Sequence, residues 1–275
     1  MSRQWASMVR QEEDFEACPT NNLVIETLQD LFDEQLTVHQ ASENLKTNNN
    51  IPPADGLVGK TLFMIIDAAK KHPEQHERLA DLLIALGAED RESKGVDMMR
   101  ADRWNTWAGL PRFGMDMREE MNDDDIPRAG PHRDAQIERW KNLCRFQAVL
   151  TSTDVAVLSF RLFALWTLRE CLEYPVEAHT VNEGDAAGVD LDAKIPGAAM
   201  WPIVLGDKLQ RWTDAPGDRL KNNVGHGGPL WTGIADFSMD RLRFWKERFT
   251  YIAELPHLKT TTTELARSAA EHIVA

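Results

Sequence analysis

Apolar residues recur at intervals of three and four along most of the chain, and the alternation typical of β-strands is almost absent. Leu79, Leu82, Leu83 and Leu86 show this spacing clearly. Because one face of an α-helix repeats about every 3.6 residues, the pattern predicts helices rather than strands. We therefore expect an all-α fold of roughly nine to ten helices, forming a single domain over residues 1–275.

The longest apolar segment predicts the centre of that fold. Thr153–Tyr174 is apolar nearly all round and is followed by Pro175, so it predicts one central buried helix. A later helix is predicted over Pro196–Trp212, and Pro202 is expected to kink or restart it. Between these helices, residues of about 180–194 predict a flexible acidic insertion. A boundary between two lobes at this insertion is the alternative to a single domain.

Prolines and capping residues predict the ends of other helices. An N-terminal helix over Arg3–Ala17 is expected to stop before Pro19. Pro73 opens a helix that ends at Gly87. The last helix is predicted to be capped by Thr261, which begins a capping-box pattern.

The net charge of the chain narrows the range of partners. A formal charge of −13 and a pI of about 5.1 predict an acidic surface, which repels phosphate backbones and anionic lipids. We therefore expect neither a nucleic acid nor a membrane partner. Cys18, Cys144 and Cys171 are odd in number and far apart, which predicts reduced thiols in a cytoplasmic protein. The sequence leaves the oligomeric state open.

A glycine-rich stretch, NNVGHGGPLWTG, covers residues 222–233. A phosphate-binding loop needs a preceding strand and a helix that opens directly from its glycines. No strand is predicted before this stretch, and Pro229–Phe237 separates the glycines from the next helix. We favour the alternative, in which the glycines permit tight turns and close backbone packing.

The next helix is predicted over Ser238–Leu255, with Ser238 as its N-cap. One stripe of this helix is apolar and must pack into a core, and it comprises Leu242, Trp245, Phe249 and Ile252. Arg241 falls outside that stripe.

Two stretches resemble a known family. GGPLWTG…DFSMDRLRFWKERF and WAGLPRFGMDMREEMN, the latter at residues 107–122, resemble motifs of a fungal family known as domain of unknown function 3632. The resemblance extends from about residue 104 to residue 252. It implies a fungal, mostly helical, intracellular protein with no established activity. Because some such proteins look like products of biosynthetic gene clusters, it also implies a role in specialised metabolism.

Familiar catalytic and metal-binding motifs are incomplete in this sequence. His72 and His76 stand four apart, but Pro73 replaces the glutamate of an H-E-x-x-H site, so we interpret them as exposed histidines. In NDDDIP, Pro127 stands where an aspartate-rich magnesium motif of terpene synthases requires a carboxylate. The sequence also lacks G-x-S-x-G and a dinucleotide fingerprint. We therefore expect no metal and no cofactor.

The remaining candidate site residues are aromatic, basic and acidic side chains, largely from the two motifs. The catalytic candidates are His226, Arg112 and Asp116. The substrate-binding candidates are Trp104, Trp107, Trp201, Trp231 and Arg161. Arg161 and Arg169 lie on the most apolar predicted helix, where a buried arginine needs a partner. A structural carboxylate is the favoured partner, and a ligand is the alternative.

Two functions are consistent with these residues. The first is a cofactor-independent enzyme of fungal specialised metabolism that cyclises or isomerises an apolar, terpenoid- or polyketide-like intermediate in a Trp-lined pocket. There, orientation and a few hydrogen-bond donors would supply the catalysis. The alternative is a non-catalytic helical binding or scaffold protein. An enzyme predicts an enclosed cavity with converging polar groups at the two motifs, whereas a scaffold predicts a filled core.

Overall fold

The structure is a computed structural model, and it forms two compact units, Met1–Asp123 and Asp124–Ala275. It describes residues 5–11, 18–47, 56–87, 107–110, 112–122, 126–127, 129–176, 190–214 and 224–275. The described residues form helices, turns and loops without a β-strand, which confirms the predicted all-α class. The division into units falls before the acidic insertion and not within it. The single domain over 1–275 stays a prediction, and each unit is described by itself.

The described residues of unit 1 form the first six α-helices. They are α1 Trp5–Val9, α2 Pro19–Phe32, α3 Val38–Lys46, α4 Leu57–Lys71, α5 His76–Gly87 and α6 Phe113–Asn122. Helix α2 packs on α3 and α4, α3 packs on α5, and α4 packs on α6. The sequence also predicts a helix over residues 101–108, which lie largely outside the described residues.

Two prolines begin helical segments in unit 1. Helix α1 ends at Val9, before Pro19, and Pro19 begins α2, because its missing N–H costs nothing in the first turn. Pro73 begins a short 3-10 turn, and α5 then runs from His76 to Gly87. The prediction of two exposed histidines is wrong for His76, which is fully buried and contacts the Ala69 carbonyl through Nε2 at 2.8 Å.

The part of unit 2 that the structure describes forms six further α-helices. They are α7 Arg133–Ser152, α8 Arg161–Leu172, α9 Leu191–Leu205, α10 Lys208–Asp214, α11 Met239–Ala253 and α12 Thr260–His272. Helix α9 packs on α7, α8, α10 and α12, so its buried face is the centre of the unit. A Cβ on Gly197 would lie 2.5 Å from Trp140 Nε1, so the absent side chain lets α7 and α9 approach closely.

The prediction of one continuous helix over Thr153–Tyr174 is wrong at its N-terminal end. Helix α7 ends at Ser152, Asp154 adopts a left-handed φ of 61°, and α8 begins only at Arg161. The Thr151 hydroxyl accepts a hydrogen bond from Phe160 N at 2.9 Å, which satisfies a backbone donor outside the helix. A side-chain bond that reaches across nine residues competes here with helical bonds, and apolar periodicity does not reveal it.

The predicted start of α9 is also wrong. This helix begins at Leu191, where Asp190 accepts a hydrogen bond from Ala193 N, and it includes Pro196. Part of the predicted acidic insertion is therefore helical, while residues 181–189 lie outside the described residues. Helix α9 continues through Pro202 without the predicted restart there and ends at Leu205, and its C-cap Gly206 has a φ of 51° that suits glycine.

The last helix begins two residues earlier than predicted. Lys259 is its N-cap and makes no side-chain capping bond, so the predicted Thr261 cap is wrong. Asp192 on α9 instead accepts hydrogen bonds from Lys259 N at 3.0 Å and from Thr262 Oγ1 at 2.6 Å. A tertiary contact therefore takes over the capping role that the local pattern assigned to threonine.

Candidate functional site

A buried ion pair joins the end of α8 to the first turn of α11. Glu173 is the C-cap of α8, Arg241 is on α11, and both side chains are fully buried. Arg241 Nε donates to Glu173 Oε1 at 2.6 Å, and Arg241 Nη2 donates to Oε2 at 3.0 Å. This two-point geometry is the strongest form of arginine–carboxylate contact.

The Glu173 carboxylate accepts two further hydrogen bonds. Trp245 Nε1 donates to Oε1 at 2.7 Å, and the Gly228 amide donates to Oε2 at 2.7 Å. A Cβ on Gly228 would lie 2.8 Å from both Cβ and the carbonyl oxygen of Glu173, so the loop backbone contacts α8 closely here. Both carboxylate oxygens are therefore occupied by protein donors.

The Arg241 guanidinium holds the backbone of the glycine-rich loop, defined here as residues 224–237. Nη1 donates to the carbonyls of Gly225 at 2.9 Å and Asp236 at 3.1 Å, and Nη2 donates to that of His226 at 3.2 Å. With the two bonds to Glu173, these contacts use all five N–H groups that a guanidinium has. The ion pair is therefore saturated by protein partners.

A second arginine supports the end of the loop. Arg161 Nη2 lies 3.3 Å from Asp236 Oδ1 and 3.2 Å from the Trp212 carbonyl. Its guanidinium lies over the rings of Trp212 and Phe237, at 5.5 and 5.2 Å from their centroids. The predicted carboxylate partner of Arg161 is confirmed. By contrast, Arg169 Nη1 is buried and has no hydrogen-bond partner among the residues that the structure describes.

Trp231 lies on the outer side of the loop and is half-buried. Its Nε1 donates to the Ile234 carbonyl at 3.0 Å, and its ring packs on Phe244 at 5.5 Å between centroids. A Cβ on Gly233 would overlap the indole ring, so glycine is required at that position. The favoured interpretation of the glycines, close packing, agrees with this geometry.

The predicted site residues are divided between the two units. In unit 1, Arg112 Nε donates to both oxygens of Asp116, at 2.9 and 3.1 Å, and Trp107 is half-buried. Trp104 lies outside the described residues. In unit 2, the His226 side chain is exposed and Trp201 is fully buried on α9. Their joint role in one catalytic pocket stays a prediction.

A surface groove lies between α7, α9 and α12 of unit 2, with a volume of about 690 Å³. On α7 and α12 the lining positions follow the i, i+3, i+4, i+7 spacing of one helix face, and α9 lies between them. The lining residues are Asp134, Ile137, Glu138 and Lys141 of α7, Asp192 and Pro196 of α9, and Lys259, Thr261, Thr262, Glu264, Leu265 and Ser268 at α12.

The groove has charged walls and an apolar floor. Lys259 Nζ lies 2.7 Å from Asp134 Oδ1, and Lys141 Nζ lies 2.5 Å from Glu138 Oε2. The hydrogen bond from Lys259 is the main reason that the pKa of Asp134 lies below its usual value. Unlike the Glu173–Arg241 pair, these pairs are open to solvent. Within the described residues, no three His, Cys, Asp or Glu side chains are grouped to hold a metal ion.

Sequence reasoning missed Glu173 and the burial of Arg241. A carboxylate at a helix C-terminus and a guanidinium in a first turn are each disfavoured by the dipole of their own helix. These unfavourable placements were the available signal that a tertiary partner was needed. The pairing itself joins residues 68 positions apart, which no local pattern reveals.

Fold and site together define an all-helical protein whose glycine-rich loop is fixed by a buried, saturated ion pair. The chain matches the family model described as protein of unknown function, DUF3632, over residues 63–249. Because the match covers more than half of the chain, the protein belongs to this family. No curated protein and no solved structure matches the chain. In the described part of the chain, no helix has the length and apolar character needed to cross a membrane.

Proposed function

We propose that the protein is a non-catalytic helical protein that binds a small amphiphilic molecule in the groove between α7, α9 and α12. The observation that carries the proposal is the saturation of the Glu173–Arg241 pair. Catalysis needs groups whose interactions strengthen in the transition state. A guanidinium whose five N–H groups are all bound to the protein offers a substrate none of them.

The groove supports the binding part of the proposal. Its volume of about 690 Å³ lies within the range of roughly 300–1,000 Å³ typical of small-molecule sites. Ile137, Pro196 and Leu265 provide an apolar surface, while carboxylates, ammonium groups and hydroxyls surround it. An amphiphilic ligand matches this arrangement, because it presents both an apolar body and a polar group.

The cyclisation or isomerisation of an apolar intermediate is the alternative hypothesis for the function. It needs an apolar cavity lined by tryptophans, and Trp201, one of its predicted lining residues, is fully buried in the packing of α9. Fungal origin and a role in specialised metabolism rest on the family resemblance. Cytoplasmic location is also part of the proposal, and the free thiols of Cys18, Cys144 and Cys171 support it.

A binding and turnover experiment separates the two functions. The full chain is incubated with a panel of amphiphilic and terpenoid-like molecules. Binding is measured by calorimetry, and each molecule is then examined by chromatography, because isomerisation leaves its mass unchanged. We expect binding without any change in retention time. A new chromatographic peak that requires the protein would contradict the non-catalytic proposal.

Two neighbouring substitutions test the location of the site. Ser268→Trp should fill the groove and abolish binding, because Ser268 lines it. Arg267→Trp is the matched control, because Arg267 is exposed and does not line the groove. Equal binding by both variants would place the ligand elsewhere.

A further inference from the structure

We infer that the groove binds an organic cation, an ammonium group attached to an apolar stem about 10 Å long. The inference rests on the proposed function, since it names the ligand class of the same groove. Its basis is the charge that remains in the groove after the internal ion pairs are formed, together with the length of the groove.

The charges in the groove do not cancel. Four carboxylates line it, against two ammonium groups. Lys259 pairs with Asp134, and Lys141 pairs with Glu138. The two carboxylates that remain are Asp192 and Glu264.

Asp192 and Glu264 differ in their surroundings. Asp192 accepts hydrogen bonds from a backbone amide and a hydroxyl, which orient its carboxylate without neutralising it. Glu264 is exposed on the wall formed by α12 and makes no ion pair within the described part of the chain. A ligand cation would supply the opposite charge that both groups lack.

The length of the groove sets the size of the ligand. Ile137, which is 7% exposed, and the half-buried Leu265 provide apolar area beside the charges. The lining stripe on α7, in which Ile137 lies among three charged residues, extends from Asp134 to Lys141, so the groove is about 10 Å long at 1.5 Å per residue. This length matches an extended chain of about eight carbons.

Three probes with the same stem and different head groups test the charge preference. They are n-octylammonium, n-octanol and n-octanoate, each titrated into the full chain at pH 7 by calorimetry. We expect n-octylammonium to bind about fivefold tighter than n-octanol, the size of a favourable exposed charge contact. We expect n-octanoate to bind more weakly than n-octanol. Raising the ionic strength should weaken the binding of the ammonium probe alone, because salt screens exposed charges.

Two variants on α12 provide the control. Glu264→Gln should remove most of the preference for the ammonium head, because it deletes the exposed carboxylate of the groove. Glu271→Gln deletes an exposed carboxylate of the same helix that does not line the groove, and it should keep the preference. Backbone amide shifts of α7, α9 and α12, measured by NMR, show whether each probe occupies the groove.

Each outcome decides the inference. A preference for ammonium that Glu264→Gln removes and Glu271→Gln keeps supports it. If all three probes shift the NMR signals of the groove amides and bind with equal affinity, the cation inference is overturned and the proposed binding function stands. If Glu264→Gln and Glu271→Gln weaken the binding of the ammonium probe equally, the preference comes from the overall negative charge of the protein, and the inference is overturned. If no probe shifts the groove amides, the inference and the proposed site are both overturned.

Discussion

Unit 2 contains two groups of charges that differ in burial and in the completeness of their pairing. Glu173 and Arg241 are fully buried, and each polar atom of the pair has protein partners. In the groove, Asp134 and Lys259 form a pair whose side chains are 80% and 49% exposed. Buried charges must be paired to be tolerated, whereas exposed pairs contribute little to stability and stay available to a ligand. Burial and complete pairing therefore indicate a structural role for Glu173 and Arg241, whereas the exposure of the groove charges is consistent with the proposed binding site.

The largest predicted effect comes from removing one member of the buried pair. Arg241→Met leaves the Glu173 charge buried and leaves three loop carbonyls without their donor, so it should lower the free energy of unfolding by about 3–5 kcal/mol. Arg243→Met is the matched control, because Arg243 pairs with Asp240 at 2.7 Å on the exposed face of the same helix. Arg243→Met should lower the free energy of unfolding by less than about 1 kcal/mol. Urea unfolding measures both, and similar values would contradict a structural role for Arg241.

A smaller loss of stability is expected from a substitution where the loop contacts α8. Gly228→Ala places a Cβ 2.8 Å from Glu173 atoms that include backbone, so the loop must shift, at a cost of about 1–3 kcal/mol. Gly114→Ala is the control, because a Cβ there meets open space on helix α6. It should stabilise its helix by roughly 0.5–1 kcal/mol. If Gly228→Ala is as stable as the wild type in a thermal or urea experiment, the close approach of the loop to α8 is not required.

The smallest predicted change in stability comes from the charge of Lys194, which is half-buried. Burial lowers the pKa of Lys194 to about 8, although Lys194 Nζ lies 4.5 Å from the Trp140 ring centroid, where a cation is favoured. Above pH 8 the unfolded chain keeps the proton and the folded protein loses it, so stability should rise with pH towards the unfolded pKa. The rise from pH 7 to pH 10, relative to Lys194→Met, should be on the order of 1–2 kcal/mol. A pH-independent difference between the two proteins would contradict the lowered pKa.

Local sequence patterns predicted several elements of the fold. The helix that was predicted to end at Gly87 does end there, as α5. Ser238 was expected to cap α11, and its hydroxyl accepts a hydrogen bond from Arg241 N at 3.1 Å. These features depend on residues within one or two turns, so a single sequence contains the information needed for them.

Features that depend on distant partners were not predictable. Arg241 lies beside the apolar stripe of α11, and Glu173 and the loop carbonyls make its burial favourable. The break before Arg161 depends on a bond between Thr151 and Phe160 rather than on apolar spacing. The groove likewise forms where three helices meet. Pairing across long sequence distances is set by the tertiary fold, and no window along the chain contains it.

The most direct test of the account is hydrogen exchange at the Gly228 amide of the wild-type protein. This amide donates to the buried Glu173 carboxylate at 2.7 Å, and the next loop amide bond joins Leu230 N to the Glu173 carbonyl at 3.0 Å. If the ion pair holds the loop as a structural element, both amides should exchange only through the opening reactions that also expose the core of unit 2. Exchange of Gly228 at the rate of an unprotected loop amide would contradict the claim that this ion pair serves the fold.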